Sequence, residues 1–363
     1  MQIVILGLSI TSSWGNGHAT TYRGLVRGLV ERGHDVLFLE RDVPWYASHR
    51  DLLNPPYGRT ELYGSLQELK DKWARDIRDA DFVIVGSYVP QGVPVGEWVI
   101  STACGPVAFY DIDTPVTLAK LDRGDTEYIS RALVMRYDMY LSFTGGPTLK
   151  RLEKRYYAKR PRELYCSVDA SAYHPGAEEI KWDMGYLGTY SDDRQPALSR
   201  LMLQPALDWR DGRFCVAGSL YPDHLVWPAN VERIDHLPPS THRSFYNSQL
   251  WTLNVTRADM VRAGYSPSVR LFEAAACGTP IISDAWPGLA EIFEPGAEIL
   301  IARSSEETLD YLRSTTEAER KSIGRRARAR VLAEHTAERR AEQLESYAFE
   351  VAGITPASTK AVG

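Results

Sequence analysis

Cysteine is scarce in this chain of 363 residues. The four that occur (Cys104, Cys166, Cys215 and Cys277) are far apart and form no C-x-x-C pair. That excludes a zinc ribbon and a dense disulfide framework. No apolar run approaches the roughly 18 residues a membrane helix needs. No basic-plus-apolar leader stands ahead of the first strand, MQIVILGL, so the expected location is the cytoplasm, with contact at a membrane surface left open. Charge of one sign is lacking too. A net charge of -5 and a pI of about 6.0 give no general attraction to nucleic acid, which is not an expected partner. The dinucleotide fingerprint G-x-G-x-x-G is also missing, because Gly15-Asn16-Gly17 is followed by His-Ala-Thr, which weakens an oxidoreductase.

What is present is strand–helix alternation. A hydrophobic share of 44% and a charged share of 25% fit a globular chain long enough for two domains. In the first half, strands are expected at 3–8, 35–40, 82–86, 107–110 and 139–144. Helices are expected at 17–32, 61–78 and 147–157. The segment Leu164 to Pro175, LYCSVDASAYHP, reads as a short strand from Leu164, an Asp turn and a His-Pro, together a linker between domains. A second series follows, with strands at 182–187, 213–217, 231–235, 251–255 and 281–283, and helices from Pro196, at 238–248 and at 269–277. Residues 306–350 read as two helices, and 353–363 as a frayed tail. Alternation in two halves implies an α/β protein of two doubly wound, Rossmann-like domains.

Chemistry-bearing residues gather where strands end. Ser266-Pro267-Ser268 reads as a helix start, with Arg270 and Glu273 on one face of the helix that follows. Free N–H groups there suit a diphosphate, and the carboxylate suits a pair of ribose hydroxyls. The bland alternative is an ordinary αβ unit with a surface Arg–Glu pair. The loop Gly188-Thr189-Tyr190-Ser191-Asp192-Asp193-Arg194 lies between a strand and a helix, so it suits a phosphate cradle with Arg194 as an added cation. It reads equally as a surface loop with an Asp–Arg pair. Arg257, after the strand TLNVT, suits a leaving phosphate, or else a solvated pair with Asp259. In the first half, His18 follows the loop Ser12–Gly17 at the carboxyl edge of the sheet and suits a general base, or a packed helix-terminal histidine. Asp113, in DIDTP, suits proton acceptance from an acceptor hydroxyl, a helix cap, or a metal shared with Asp111.

The run RLFEAAACGTPIISDAWPGLAEIFEPGAEIL resembles the donor-binding segment of GT-B glycosyltransferases, closest to the CgeB-like (spore maturation protein) family. YDIDTPVTLAK resembles that family's N-terminal domain, and the Val168-Asp169 crossing resembles the GT-B interdomain linker. The resemblance implies two facing Rossmann-like domains with a deep cleft: 1–168 for the acceptor, 169–334 for the donor, and a helix over 335–352 crossing back. It implies Glu273 on the ribose and Ser266, Ser268, Gly188, Thr189, Tyr190, Arg194, Arg257 and Arg270 around the diphosphate. His236 and Leu237 would meet the nucleobase through backbone groups, while His242 and Tyr246 have no clear role beyond packing. The co-substrate would be a nucleotide-diphosphate sugar, with no separate cofactor and no obligatory metal. The acceptor stays open between glycan, lipid, small molecule and protein. Many retaining relatives carry a second Glu eight residues before Glu273, where this chain has Tyr265. Competing readings are a sugar-nucleotide epimerase or hydrolase on the same fold, and a catalytically silent nucleotide-binding module.

Overall fold

The computed structural model describes residues 1–14 and 17–353. Gly15, Asn16 and the tail beyond Gly353 lie outside the described residues. The chain divides into two compact units, one of Met1–Cys166 with the C-terminal helix Ala337–Ala352, the other of Ser167–Thr336. Among the described residues no helix is long and apolar enough to cross a membrane.

The first unit is built on β1 (Gln2–Gly7), β2 (Asp35–Arg41), β3 (Arg59–Tyr63), β4 (Phe82–Gly86), β5 (Val107–Asp111), β6 (Met139–Ser142) and β7 (Pro161–Glu163). They form one sheet in the order β3-β2-β1-β4-β5-β6-β7, every pairing parallel. Successive side chains of a strand go to opposite faces, and here both faces are covered. Val4, Leu6, Val83, Val85 and Phe109 join one core, and Ile3, Ile5, Phe82, Ile84 and Tyr110 the other. That is why the central strands β1 and β4 read as nearly unbroken apolar runs. The second core includes Ala341, Leu344 and Ala348 of the C-terminal helix. This helix lies close on His18–Glu31, because a Cβ at Gly24 or Gly28 would sit 2.9 Å from the Cβ of Ala337 or Ala341.

The second unit carries β8 (Trp182–Leu187), β9 (Phe214–Ala217), β10 (Val231–Ile234), β11 (Gln249–Asn254), β12 (Ile281–Ser283) and β13 (Leu300–Ile301). Their order is β10-β9-β8-β11-β12-β13, again all parallel. In each sheet the winding reverses beside the first strand, between β1 and β4 and between β8 and β11. The loops leaving the carboxyl ends of these strands border the crevice where doubly wound sheets bind ligands.

Three local expectations are corrected. The helix expected over 61–78 begins at Leu66, because Gly64 breaks the chain and Ser65 caps the helix by accepting from the Glu68 N–H. Residues 59–63 become an edge strand beside β2 instead. The strand expected from Leu164 ends at Glu163 as β7. Residues 306–350 hold three helices rather than two: Ser305–Ser314, Glu317–Glu334 and Ala337–Ala352. The missed boundary is a capping box, Thr316 with Glu319, visible in the sequence as T-x-x-E.

Candidate functional site

In the second unit, cations crowd at the carboxyl ends of β8 and β11. Arg270 is only 8% exposed. Its Nε donates to the Leu187 carbonyl, its Nη1 donates to Asn254 Oδ1 at 3.1 Å, and its guanidinium lies 4.8 Å from the Tyr186 ring centre. Arg194 donates to the Thr189 carbonyl at 2.8 Å, while its Nε has no hydrogen-bond partner. Burial, and then the neighbouring Arg270 and Arg257 charges, hold the Arg194 pKa below its ordinary value. Arg257 lies 3.7 Å from Asp193 Oδ2, and its Nε also lacks a hydrogen-bond partner. Asp193 Oδ2 already accepts the Ala258 N–H at 2.9 Å. Three guanidinium groups thus face two carboxylates, Asp193 and the buried Asp284, and the net positive charge favours an incoming anion. A cavity of about 360 Å³ is bordered by Asp193, Thr256, Arg262 and Asp284, and none of the three guanidinium groups lines it.

Gly188 makes the approach possible. A Cβ there would lie 2.5 Å from Tyr186 Oη and 2.7 Å from Arg270 Nη2. Its N–H donates to the Ala217 carbonyl, and its own carbonyl accepts from Tyr221 Oη at 3.1 Å. Thr189 is exposed. The Tyr190 hydroxyl donates to Asp192 at 2.6 Å, and its ring meets that of Tyr221 edge-on.

The helix start is real, but its serines are used differently from the expectation. Ser268 is the N-cap of Val269–Ala276 without a side-chain cap bond, and its hydroxyl donates to Asn254 Oδ1 at 2.8 Å. Ser266 is buried. The helix therefore offers an anion its backbone N–H groups and dipole rather than serine hydroxyls. Nor do Arg270 and Glu273 form a surface pair. Both are buried, and the Glu273 carboxylate accepts from Tyr246 Oη at 3.0 Å. Arg257 pairs with Asp193 rather than with Asp259, which Arg262 takes. His236 is exposed. The Leu237 carbonyl faces inward to His242 Nε2 at 3.1 Å. His242 and Tyr246, read from sequence as packing residues, are hydrogen-bonded members of this region.

Tyr265 adopts φ +49°, a left-handed conformation that costs a side-chain-bearing residue energy. Its N–H donates to the Pro287 carbonyl at 2.7 Å, its ring covers Gly288, and its hydroxyl bonds Glu291.

In the first unit, His18 is the first residue of its helix, with Gly17 as N-cap. Its Nδ1 has no hydrogen-bond partner, and burial lowers its pKa to about 4. The ring meets Tyr88 edge-on at 5.5 Å, and Tyr88 Oη donates to Asp113 Oδ2 at 3.1 Å. Asp113 is the N-cap of Thr114–Asp122, yet its side chain makes no cap bond. Tyr88 links His18 and Asp113 into one constellation. Beneath it Asp111 is fully buried and accepts from Tyr140 Oη at 2.5 Å and Thr117 Oγ1 at 2.7 Å. Burial raises the Asp111 pKa to about 6. Among the described residues no three His, Cys, Asp or Glu side chains gather as a metal site.

These two shifts act on stability with opposite sign. Between about pH 4 and 6.5 the unfolded chain protonates His18 and the folded chain does not, so His18 makes stability rise with pH. Between about pH 4 and 6 the folded chain protonates Asp111 and the unfolded chain does not, so Asp111 makes stability fall with pH. The two nearly cancel. In His18→Gln the Asp111 contribution is exposed, and denaturation midpoints should move downward from pH 4 to 6 relative to the wild-type trend, by up to about 1.4 kcal/mol per pH unit. A trend parallel to wild type would contradict the neutral, buried His18.

The acidic residue at the carboxyl end of β2, where dinucleotide-binding sheets hold a ribose, is Glu40. It is fully buried and accepts the N–H groups of Ile10 and Thr11 at 2.7 and 2.9 Å and the Thr11 hydroxyl at 2.7 Å. Its oxygens are occupied by the loop after β1, which removes the ribose contact a nicotinamide cofactor needs.

Comparison with known proteins agrees with this architecture. A family described as glycosyl transferase-like matches residues 194–346. No curated protein matches the chain. Sucrose-phosphate synthase from Thermosynechococcus elongatus superposes with a TM-score of 0.72 at 15% identity, over 97% of this chain and 99% of that one. Anabaena HepE, solved with UDP and glucose, gives 0.69 at 13% identity, over 96% and 99%. An alpha-glucosyltransferase solved with UDP and a 13-mer DNA gives 0.68 at 14% identity, over 97% and 99%. The fold is GT-B, and the glycosyl transferase-like match falls mostly on the second unit.

Proposed function

We propose that this protein is a glycosyltransferase that moves a sugar, of hexosyl type, from a nucleotide-diphosphate sugar to an acceptor. The observation that carries this reading is the convergence of Arg194, Arg257 and Arg270 beside the helix start at Val269. In this reading the donor's diphosphate lies against those guanidinium groups and the helix N–H groups, where departing negative charge is neutralised without an obligatory metal. Glu273, one turn further along, takes the ribose hydroxyls, and the loop at His236-Leu237 borders the base. The donor belongs to 169–334 and the acceptor to 1–168. UDP-sugars are the first donors to test, since two of the three solved structures above hold UDP. The CgeB-like family is the finer placement, resting on the run around Glu273, and the cytoplasm is the proposed location.

On the acceptor side His18 is the candidate base. A pKa of about 4 keeps the ring neutral near neutrality, with one nitrogen able to accept a proton, but makes it a weak base. An anionic substrate group beside it would raise that value towards the working range. Asp113, reached through Tyr88, orients the site or takes the proton itself. Asp113→Asn should lower kcat by at least about tenfold while leaving donor affinity within about twofold, in a coupled assay of nucleotide release. A wild-type rate would return Asp113 to a structural role. The same assay should retain its rate in EDTA; complete loss, restored by Mn²⁺, would revive a metal held at Asp111 and Asp113.

The test of the function itself is a thermal-shift screen with UDP-, GDP- and TDP-sugars. Ligand at about 100 times Kd adds roughly 2.7 kcal/mol of stability, which a melting curve resolves. No shift with any sugar nucleotide on folded protein would reject the reading. A shift followed by nucleotide release without any acceptor would instead favour a hydrolase or epimerase.

A further inference from the structure

Buried carboxylates are usually held by cations, but Glu273 is held by tyrosines. It is 5% exposed, and its Oε2 accepts from Tyr246 Oη at 3.0 Å. The Tyr173 ring centre lies 6.4 Å from that of Tyr246 and its hydroxyl faces the same carboxylate; burial together with that negative charge keeps the Tyr173 phenol well above its ordinary pKa. Both tyrosines are fixed from behind. The Tyr246 carbonyl accepts from Thr279 Oγ1 at 2.8 Å. Tyr173 is delivered by a tight turn in which Asp169 Oδ1 accepts from the Ser171 N–H and hydroxyl at 2.9 and 2.6 Å. A carboxylate offers about four lone-pair directions, so two phenols leave two for a vicinal diol.

The connection continues. Tyr173 Oη lies 3.3 Å from His242 Nδ1, and His242 Nε2 lies 3.1 Å from the Leu237 carbonyl. A carbonyl only accepts, so His242 carries a proton on Nε2, which leaves Nδ1 of the neutral ring as an acceptor. The single Tyr173 proton therefore faces two acceptors, Nδ1 and Glu273. Whatever moves the Leu237 backbone changes how firmly Tyr173 holds the carboxylate.

We propose that Tyr246, Tyr173 and His242 are positioning residues for the donor ribose. The two phenols aim Glu273 at the diol, and His242 couples that aim to the loop at Leu237. This rests on the assignment of Glu273 to ribose. Removing a phenol leaves a charged carboxylate free to turn, so the loss falls on the ribose hydroxyls alone.

The test compares binding of UDP and 2′,3′-dideoxyuridine diphosphate by calorimetry, with the corresponding GDP pair run alongside because the base is not fixed. Wild type should prefer the ribo ligand by about tenfold or more, the scale of lost charged hydrogen bonds. Tyr173→Phe and Tyr246→Phe should bring that preference to within about threefold while leaving affinity for the dideoxy ligand unchanged. His242→Ala should act in the same direction, and the double variant with Tyr173→Phe should lose no more than Tyr173→Phe alone, because the coupling passes through Tyr173. Tyr173 lies nearer the surface than the fully buried Tyr246, so Tyr173→Phe decides if Tyr246→Phe fails to fold. Variants that keep the wild-type ribose preference would overturn the positioning role while leaving Glu273 in place. A wild type that binds ribo and dideoxy ligands equally, or binds neither pair, would remove the ribose assignment and this proposal with it.

Discussion

Glu40→Ala should destabilise the first unit by roughly 3–5 kcal/mol, the largest loss of stability expected from a single polar side chain in it. Two backbone N–H groups, of Ile10 and Thr11, and the Thr11 hydroxyl all point at this carboxylate. Ser9 Oγ adds a fourth contact at 3.2 Å. Every one of these donors is buried, so none regains a partner from water when the carboxylate goes, and each orphaned donor costs about 1–3 kcal/mol. The loop after β1 leads directly to His18, so the damage should reach activity as well. Glu40→Gln keeps one acceptor oxygen but turns an N–H₂ towards donors, and should fall between the two. Urea denaturation together with amide exchange at Ile10 and Thr11 measures both parts. A loss under about 1 kcal/mol with protected amides would mean the loop is held by something other than Glu40.

Glu273→Ala should produce the largest loss of nucleotide affinity, about 1–3 kcal/mol or roughly five- to 150-fold in Kd. It also strips the Tyr246 hydroxyl of its acceptor inside the fold and leaves Tyr173 only His242, so part of its effect will be on stability. Glu273→Gln separates the two. It keeps a carbonyl for the phenols but removes the charge and two of the lone pairs that a diol needs. Its melting temperature should stay closer to wild type than its affinity does. Unchanged nucleotide affinity in folded Glu273→Ala would end the ribose assignment.

Much of the architecture is legible from local pattern. The strands at 82–86, 182–187 and 281–283 stand where read; the first is a continuous apolar run, FVIVG, since a parallel strand covered on both faces has no polar side to interrupt it. The edge strand Arg59–Tyr63 was not legible. Its charges suit a helix as well as an edge, and only pairing with β2 decides. The boundary at Thr316 was legible and missed, because an Ala-, Glu- and Arg-rich composition hides a capping box. Asp113 has the sequence of a helix cap and takes the cap position, yet its carboxylate goes to Tyr88, 25 residues away. Asn254, which ties Ser268 and Arg270 together, could have been suspected from its place at the end of β11.

Sequence alone determined the alternation, the two doubly wound halves and the strand ends at which ligand-binding groups collect. These follow from periodicity and from residues a few positions apart. Tertiary structure alone decided what each polar side chain does. Arg194, Arg257 and Arg270 are spread over 77 positions of chain and meet only because β8 and β11 lie side by side. Glu273 is held by Tyr246 and Tyr173, which reach it from another helix and from the Asp169 turn. Hydrogen bonds and charges act over a few ångströms of space, and pairing between strands, not spacing along the chain, sets those distances.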